Sequence, residues 1–495
     1  MKLAIRVDGN SIIGAGHATR CLTIAYKLKE YGFESTFFMR NVSDNISTKI
    51  SKSFDVIYLK NECPNFTILD DYSKWLGVTE EIDAYDFLLN AQQEQFDLVI
   101  VDHYGIGKIW EEIVSKQITK IIVIDDLANR KHFADLLIDQ SIGRKSRDYR
   151  DLIPKKCKLL AGTKYALLRD EFRDLDSASK KKFDIVISFG GVDKNDFTLH
   201  VVNLLAMDAS FLCYRIKVLI GKDYPFTENL RDRIEKLNSN IEVIENPDNF
   251  AAELGECRVA IGAGGGSLLE RSALGIPSIL YPIAENQEHI CAEYVKQGLG
   301  FMLRRGATNE AVSLIMAIEQ FLKRGEWVDK SLKNKSFVDM RGAERVVIEI
   351  LDKFKLINYY DAKIEDEEFV YNCRYFQSDA LFYKNKNVPN YHQHQIWYSQ
   401  SLLDGRLRHI IFVIEGIKLG YVRLDTDNEL SVYVYPTFRG KGLAELMIRY
   451  TCKKYRSTKL HAYVHKNNFS SLNAFLKNKF QVISTDTEFT RLEKC

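Results

Sequence analysis

The sequence is short of the features that would direct it to a membrane, to nucleic acid or out of the cell. No uncharged apolar stretch approaches the roughly 20 residues that span a bilayer. Lys plus Arg (69) nearly cancels Asp plus Glu (67), and the net charge of +2 gives no general electrostatic reason to bind nucleic acid or an anionic membrane. Any affinity for anions has to be local. The nine cysteines, at 21, 63, 157, 213, 257, 291, 373, 452 and 495, are odd in number, scattered and never arranged as C-x-x-C. That argues against a disulfide framework or zinc knuckle and for reduced thiols in a cytoplasmic protein. Met1 leads straight into a strand-like segment with no basic start, long apolar core or small-residue cleavage site, so no secretory signal is expected. There is no internal repeat, low-complexity tract or cluster of metal-ligating residues, and no metal is expected. The oligomeric state is left open.

What the sequence does have is length and alternation. At 495 residues, about three domains or half-domains are expected. With 46% apolar and 27% charged residues the chain reads as globular and ordered. Short apolar runs recur between amphipathic segments: KLAIRV, STFFM, DVIYL, DLVIVD and KIIVIDD, then FDIVISFGG, YRIKVLIG, NIEVIEN, CRVAIGAGGG and IPSILYP. Strands alternating with helical stretches build βαβ units and a parallel sheet. The alternation pauses at the charged, serine-containing stretch 169–184, which links two similar halves. Beyond about residue 350 come closely spaced, aromatic-rich strands (HIIFVIEG, IKLGYVRLD, ELSVYVYP), hairpin turns at Glu415 with Gly416 and at 426–428, a helix from about Lys441 and a late strand KLHAYVH. The predicted fold is α/β: two doubly wound Rossmann-like lobes, 1–170 and 180–350, followed by an α+β domain over 358–495.

The turn SIIGAGH joins the first strand to a helix running from Ala18. A dinucleotide fingerprint needs a third small residue and a carboxylate about 20 positions on. Thr19 and the strand end FFMR supply neither, so a nicotinamide cofactor is not expected. What remains is a turn that lets a ligand approach the backbone beside His17, at the positive end of a helix dipole that disfavours the imidazolium. A neutral imidazole can take a proton from water; a histidine that merely packs at a helix start would look the same. Asp8, Gly16 and Arg20 accompany it and are expected to line a substrate. In the second half, SFGGVDKND (Gly190, Gly191) and IGAGGGSLLERSALGIP (Gly264, Gly265, Gly266, Ser267) each follow a strand, and the latter opens a helix at about Ser267. Backbone N–H groups there suit a diphosphate, and Glu270, one turn on, can accept from a ribose diol or simply lie in solvent.

Taken together, RVDGNSIIGAGHATRCLTIA, GTKYALLRDEF, ISFGGVDKND, GAGGGSLLERSALGIPSIL with AENQ, and RGAERVV resemble the UDP-sugar hydrolases of pseudaminic acid biosynthesis. Those enzymes are relatives of the two-lobed GT-B glycosyltransferases. The resemblance covers roughly residues 1–350. It implies hydrolysis of UDP-2,4-diacetamido-2,4,6-trideoxy-β-L-altropyranose to UDP and the free sugar, with His17 as the base that activates water. It also puts Glu270, with Asn286 and Gln287 nearby, at the nucleotide. A diphosphate leaves readily when N–H donors meet its charge, so no glycosidase-like carboxylate pair is required. The alternative within the same fold is a glycosyltransferase that uses an acceptor other than water, joined to an acetyl-CoA-binding domain that is non-catalytic or differently specific.

Near the C-terminus, LSVYVYPTFRGKGLAELMIRYTCKKY offers the N–H groups of Gly440, Lys441, Gly442, Leu443 and Ala444, with the charges of Arg439 and Lys441, to a pyrophosphate at a helix start. A basic hairpin turn is the plainer reading of RGKG alone. With the strand end at Val434 and the later AYVHKNNFSSLNAFLKNKF, which includes Asn468, the segment resembles the GNAT-type N-acetyltransferases. This covers about 360–495 and implies acetyl-CoA as co-substrate. HQIWY (394–398) is similar to the H-x-x-W-F segment of sugar-nucleotide acetyltransferases of the same pathway, whose product is the hydrolase substrate. Two departures stand out: Phe475 occupies the position of the family's general-acid tyrosine, with Tyr433, Tyr435 or Tyr463 as possible replacements, and Lys479 replaces the usual glycine before Phe480.

Overall fold

Near-continuous runs of Val, Ile, Leu and Phe form strands buried on both faces, the pattern of parallel sheets covered by helices. The structure, a computed structural model, describes the chain apart from residues 11, 61–70, 174, 176–180, 238–239, 376–381, 383–386, 406 and 495. Cysteines 63 and 495 and the middle of the expected 169–184 link lie outside the described residues. The chain divides into two compact units, Met1–Lys29 with Phe33–Val346, and Val347–Cys495 with Glu30–Gly32.

The first unit contains two parallel sheets. One consists of β1 (Lys2–Val7), β2 (Glu34–Met39), β3 (Asp55–Tyr58), β4 (Leu98–Asp102), β5 (Ile121–Ile124), β6 (Leu136–Asp139) and β7 (Lys158–Ala161), in the order 3-2-1-4-5-6-7. The other consists of β8 (Phe183–Ser188), β9 (Ile216–Ile220), β10 (Ile241–Glu245), β11 (Cys257–Ala263), β12 (Ser278–Tyr281) and β13 (Phe301–Met302), in the order 10-9-8-11-12-13. Short β6, β7 and β13 were not foreseen. In each sheet the chain leaves the first strand in one direction and returns on its other side. The pairs β1/β4 and β8/β11 are therefore the switch points, where connections diverge and leave a crevice beyond the strand ends. The register pairs Val7 with Asp102 in the first sheet and Gly262 with Ser188 in the second.

The motifs GTKYALL and RGAERVV, far apart in sequence, are stitched together. Arg345 Nη1 donates to the Lys164 carbonyl at 2.8 Å, and Thr163 Oγ1 donates to that of Phe337 at 2.9 Å. A Cβ on Gly342, which opens the helix Gly342–Lys353, would sit 2.2 Å from the Ala166 carbonyl oxygen.

In the second unit β14 (Asn358–Asp361), β15 (Leu407–Ile414), β16 (Ile417–Asp425) and β17 (Leu430–Val434) form an antiparallel sheet in chain order. The two-residue turn between β15 and β16 holds Glu415 and Gly416 at φ 46° and 81°, the twist-matched hairpin geometry. A smaller antiparallel sheet has the order β18 (Leu460–His465), β20 (Phe489–Lys494), β19 (Gln481–Thr485). The helix expected from Lys441 starts at Leu443, because Gly442, at φ 94°, forms its N-cap.

Gly342→Ala should lower the stability of the first unit by about 1–3 kcal/mol, the usual range for overpacking. Gly16→Ala, where no atom lies within 4 Å of the added carbon, should change it little. Urea unfolding of the full chain followed by tryptophan fluorescence checks the contrast.

Candidate active sites

At the first switch point the Asn10 side chain accepts from the N–H groups of Ile12 and Ile13 at 2.7 and 2.9 Å, and Gly14 turns the chain at φ 81°. The helix Gly16–Lys29 then begins, two residues earlier than expected, and carries His17 in its first turn. His17 Nδ1 lies 2.6 Å from Asp102 Oδ1, at the end of β4. Arg20 grips the same carboxylate with two donors, Nε to Oδ2 at 2.5 Å and Nη2 to Oδ1 at 2.6 Å, and reaches Asp126 Oδ2 with Nη1 at 2.8 Å. Burial pushes the Asp102 carboxyl up, but Arg20 and His17 more than offset it and hold it well below the ordinary range. With Asp102 accepting from Nδ1–H, the lone pair of the uncharged ring resides on Nε2. Among the described residues Nε2 has no protein partner. Tyr104 packs against the imidazole at 4.5 Å between ring centres, and burial and Asp126 push its phenol well above its ordinary range, so it remains an O–H.

The structure revises two expectations here. Asp8 is 0% exposed and lines no cleft. It accepts from Arg6 Nη1 at 2.6 Å and from the Arg40 N–H at 2.7 Å, inside a buried network that continues through Asp83 to Arg40 and the Trp110 indole. Arg20 orients Asp102 and Asp126 instead of meeting substrate as a lone cation. Gly16 is exposed, as a site residue requires. Asp102, Tyr104 and Asp126 escaped the sequence analysis although they end or follow the runs DLVIVD and KIIVIDD. The signal was a carboxylate at a strand's C-terminal end, and its meaning depends on β1 pairing with β4.

At the second switch point Gly190 (φ 98°) and Gly191 are exposed, and Gly191 crowds Gly221, whose Cβ would lie 2.1 Å from the Gly191 carbonyl oxygen. Gly264 is a packing glycine: its N–H donates to Gln287 Oε1 at 3.1 Å, and a Cβ would meet Cys291 Sγ at 2.4 Å. Gln287 also takes the Ile283 N–H at 3.2 Å, so it clamps the loop instead of reaching a nucleotide through that oxygen. Gly265, Gly266 and Ser267 remain as the donor bed, with Gly266 exposed and open. Beneath it Arg271, 1% exposed, donates to the Ala263 carbonyl at 2.5 Å and to Ser278 Oγ at 3.1 Å. Burial lowers this guanidinium only to about 10, so it stays a cation under the loop. Glu270 Oε1 accepts from Arg169 Nη2 at 3.0 Å; burial raises its carboxyl against that pairing. Asn286 Oδ1 is buried with no partner among the described residues.

In the second unit β17 and β18 lie side by side but pair only through the bridge Glu429–His461, so the backbone toward Val434 is unpaired on that side. The turn that follows has Gly440 and Gly442 at φ 74° and 94°, opening the twelve-residue helix Leu443–Lys454. Leu443 is buried as its anchor, Ala444 is partly buried, and no atom lies within 4 Å of a Cβ at Gly440. This open cradle of N–H groups fits a pyrophosphate. The charged residues contribute differently from expectation. Arg439 donates to the carbonyls of Val434 at 3.0 Å and Cys373 at 3.1 Å, bracing the turn, and Lys441 is ion-paired with Glu30. Asn468 caps the helix Phe469–Lys477 by accepting from the Ser471 N–H at 3.0 Å. Phe475 is buried edge-on to Phe480, and Lys479 takes φ 66°, the conformation that makes glycine the usual choice there. No helix among the described residues is long and apolar enough to cross a membrane.

Comparison with known proteins agrees with this division. The family model of GNAT acetyltransferases matches residues 372–480. An uncharacterised protein of Methanocaldococcus jannaschii is 25% identical over 520 aligned positions, covering 96% of both chains. The UDP-2,4-diacetamido-2,4,6-trideoxy-β-L-altropyranose hydrolase of Campylobacter jejuni is 26% identical, over 60% of this chain and 97% of its own. MurG of Acinetobacter baumannii, 14% identical, superposes with a TM-score of 0.50 over 71% of this chain and all of its own, a likeness of fold. The two lobes are thus GT-B-like.

Asp8, Asp102 and Asp125 are each pushed up by burial yet held below the ordinary carboxylate range by arginine partners. Such groups stabilise the fold above their unfolded value, about 4, and that stabilisation is lost as pH falls below it, on the order of 2 kcal/mol each. Asp139, raised to about 6 by burial against the pull of Arg144, acts in the opposite sense between about pH 4 and 6. Urea midpoints against pH should therefore fall most steeply below pH 4, and less so in Asp102→Asn.

Proposed function

From a chain that joins GT-B-like lobes related to a UDP-sugar hydrolase with a C-terminal GNAT acetyltransferase domain, we propose a bifunctional enzyme of pseudaminic acid biosynthesis. It N-acetylates UDP-4-amino-4,6-dideoxy-N-acetyl-β-L-altrosamine and removes UDP from the resulting UDP-2,4-diacetamido-2,4,6-trideoxy-β-L-altropyranose. The observation that carries the hydrolytic half is the 2.6 Å contact between His17 Nδ1 and Asp102 at the switch point. Nε2 takes a proton from water as the water oxygen attacks the anomeric carbon. The bond from that carbon to the diphosphate oxygen breaks, and its electron pair leaves with UDP. The N–H groups of Gly265, Gly266 and Ser267 meet the growing charge, reinforced by the field of buried Arg271. Asp102 keeps the imidazole in the productive tautomer and steadies the imidazolium as it forms.

In the second unit the backbone from Gly440 to Ala444 would hold the pyrophosphate of acetyl-CoA, which supplies an activated acetyl group. The acceptor amine attacks the thioester carbonyl, the carbon–sulfur bond breaks and coenzyme A leaves as the thiol. Phe475 brings no hydroxyl to that departure. Linking both activities in one chain raises the effective concentration of the acetylated product for the hydrolytic step.

His17→Asn should slow UDP release by about 10²- to 10⁴-fold and leave thiol release from acetyl-CoA within about twofold. Asp102→Asn, which leaves the wrong tautomer, should cost about 100-fold or more. Mass spectrometry of the UDP-sugar with and without acetyl-CoA reads both steps, and near-normal UDP release from His17→Asn would sink the base assignment. Transfer of the sugar to an added alcohol in preference to water would favour a glycosyltransferase.

A further inference from the structure

The C-terminal edge of the first sheet carries a row of carboxylates. Asp102 ends β4, Asp125 and Asp126 follow β5, and Asp139 ends β6, and these three strands are neighbours. Arg20 joins Asp102 to the Asp126 carboxylate, which accepts from its Nη1 at 2.8 Å. The next link is Arg144, whose side chain is 13% exposed. Its Nε donates to Asp139 Oδ2, and its Nη2 donates to the backbone carbonyl of Asp126 at 2.6 Å. Tyr149 backs this arrangement, with its ring 5.8 Å from the guanidinium carbon and its hydroxyl 2.8 Å from the carboxylates of both Asp125 and Asp139. One guanidinium thus fixes the main chain at the residue whose side chain holds Arg20.

The loop that presents Arg144 is seated in the second lobe. Asp139 Oδ1 accepts from the Ser141 N–H and Gln140 Oε1 from the Leu167 N–H, each at 2.8 Å, which turns the loop off its strand. Ile142, 1% exposed, is buried in a cluster with Leu268, Leu269, Cys291 and Tyr294. Leu268 and Leu269 directly follow Ser267 in the helix that opens from the donor bed. Gly143 takes φ 80°, and a Cβ there would lie 2.6 Å from Glu293 Cγ on the helix Glu285–Lys296. Glycine meets both demands, the left-handed backbone and the close approach.

Neutralising Asp139 would take only one of the Arg144 donors. The other is spent on a carbonyl of the network that orients His17, and it comes from a loop anchored beside the donor bed. A guanidinium is a rigid planar fork, so a shift of its anchor reaches both of its acceptors. Catalysis by a placed base is steep in geometry: a displacement of about 1 Å caused by a remote change can cost about 100-fold.

We propose that Arg144 is a positioning residue for the hydrolytic base: by holding Asp126 from a loop seated in the second lobe, it sets Arg20, Asp102 and His17 in register with the donor bed. The inference rests on the hydrolase reading and deepens it, because it makes the base depend on a side chain outside the reacting groups.

The test measures UDP release from the UDP-sugar by the full chain, with thiol release from acetyl-CoA as the control on the second unit. Arg144→Met should lower kcat for UDP release by about 10- to 100-fold and leave KM for the UDP-sugar within about threefold, the split expected when positioning and not binding is lost. Thiol release should stay within about twofold, since the second unit is untouched. Arg144→Lys, a point charge that cannot serve both acceptors as a fork does, should recover part of kcat. Arg144→Met combined with Asp139→Asn removes both members of the buried pair, strands no charge, and should show the same loss. In an Asp102→Asn background Arg144→Met should cost no more than about a further twofold, because the path to His17 is already broken. A kcat near that of the parent in the single or the paired variant overturns the proposal and leaves the hydrolase reading standing. So does a loss confined to KM, or a full multiplicative loss in the Asp102→Asn background. Absence of UDP release from the parent chain overturns both.

Discussion

A single carboxylate organises the first unit. Asp102 is fully buried at the end of a central strand, where an unpaired charge would be prohibitive. It is tolerated because Arg20 binds both of its oxygens and His17 donates to one of them. All three groups meet only because β1 and β4 are neighbours in the sheet while the chain between them makes an excursion through β2 and β3. Without that pairing the helix turn carrying His17 would have no base-orienting partner, and Arg20 would have no carboxylate to grip.

The rest of the first lobe reads as support for that geometry. A second set of buried charges, Arg6, Asp8, Arg40 and Asp83, ties β1 and the end of β2 to the helix Glu80–Ala91 beneath the site. Buried ion pairs of this kind add little net stability over apolar packing, yet removing one partner leaves an uncompensated charge. They hold the strand ends in one arrangement. The second lobe uses the opposite device: a neutral loop of small residues whose exposed N–H groups overlie a buried arginine, so its positive field needs no side chain in the ligand's path.

In the second unit the same accounting of buried polar groups separates two kinds. Where such groups have partners, as with Arg439 bracing the turn before the helix Leu443–Lys454, they are structural. Where they do not, as with His409, Tyr421 and the Nε of Arg423, buried polar atoms are left without a partner among the described residues.

Much of this was legible in the amino-acid sequence, because its signals are local. Apolar runs at strand length, glycines where φ must be positive and a histidine just after a turn identify the α/β lobes, the loops Gly190–Gly191 and Gly265–Ser267, the position of His17 and the Gly440–Ala444 turn. The sequence could not say that Asp8 points into the core while Asp102, 94 positions later, meets His17; that Gly264 and Gln287 lock a loop; or that Arg439 and Lys441 have protein partners. Backbone conformation is set by neighbours in sequence, and composition and periodicity report it. What a charged side chain does is set by which other charge it meets in a low-dielectric interior, and only strand order and packing decide that.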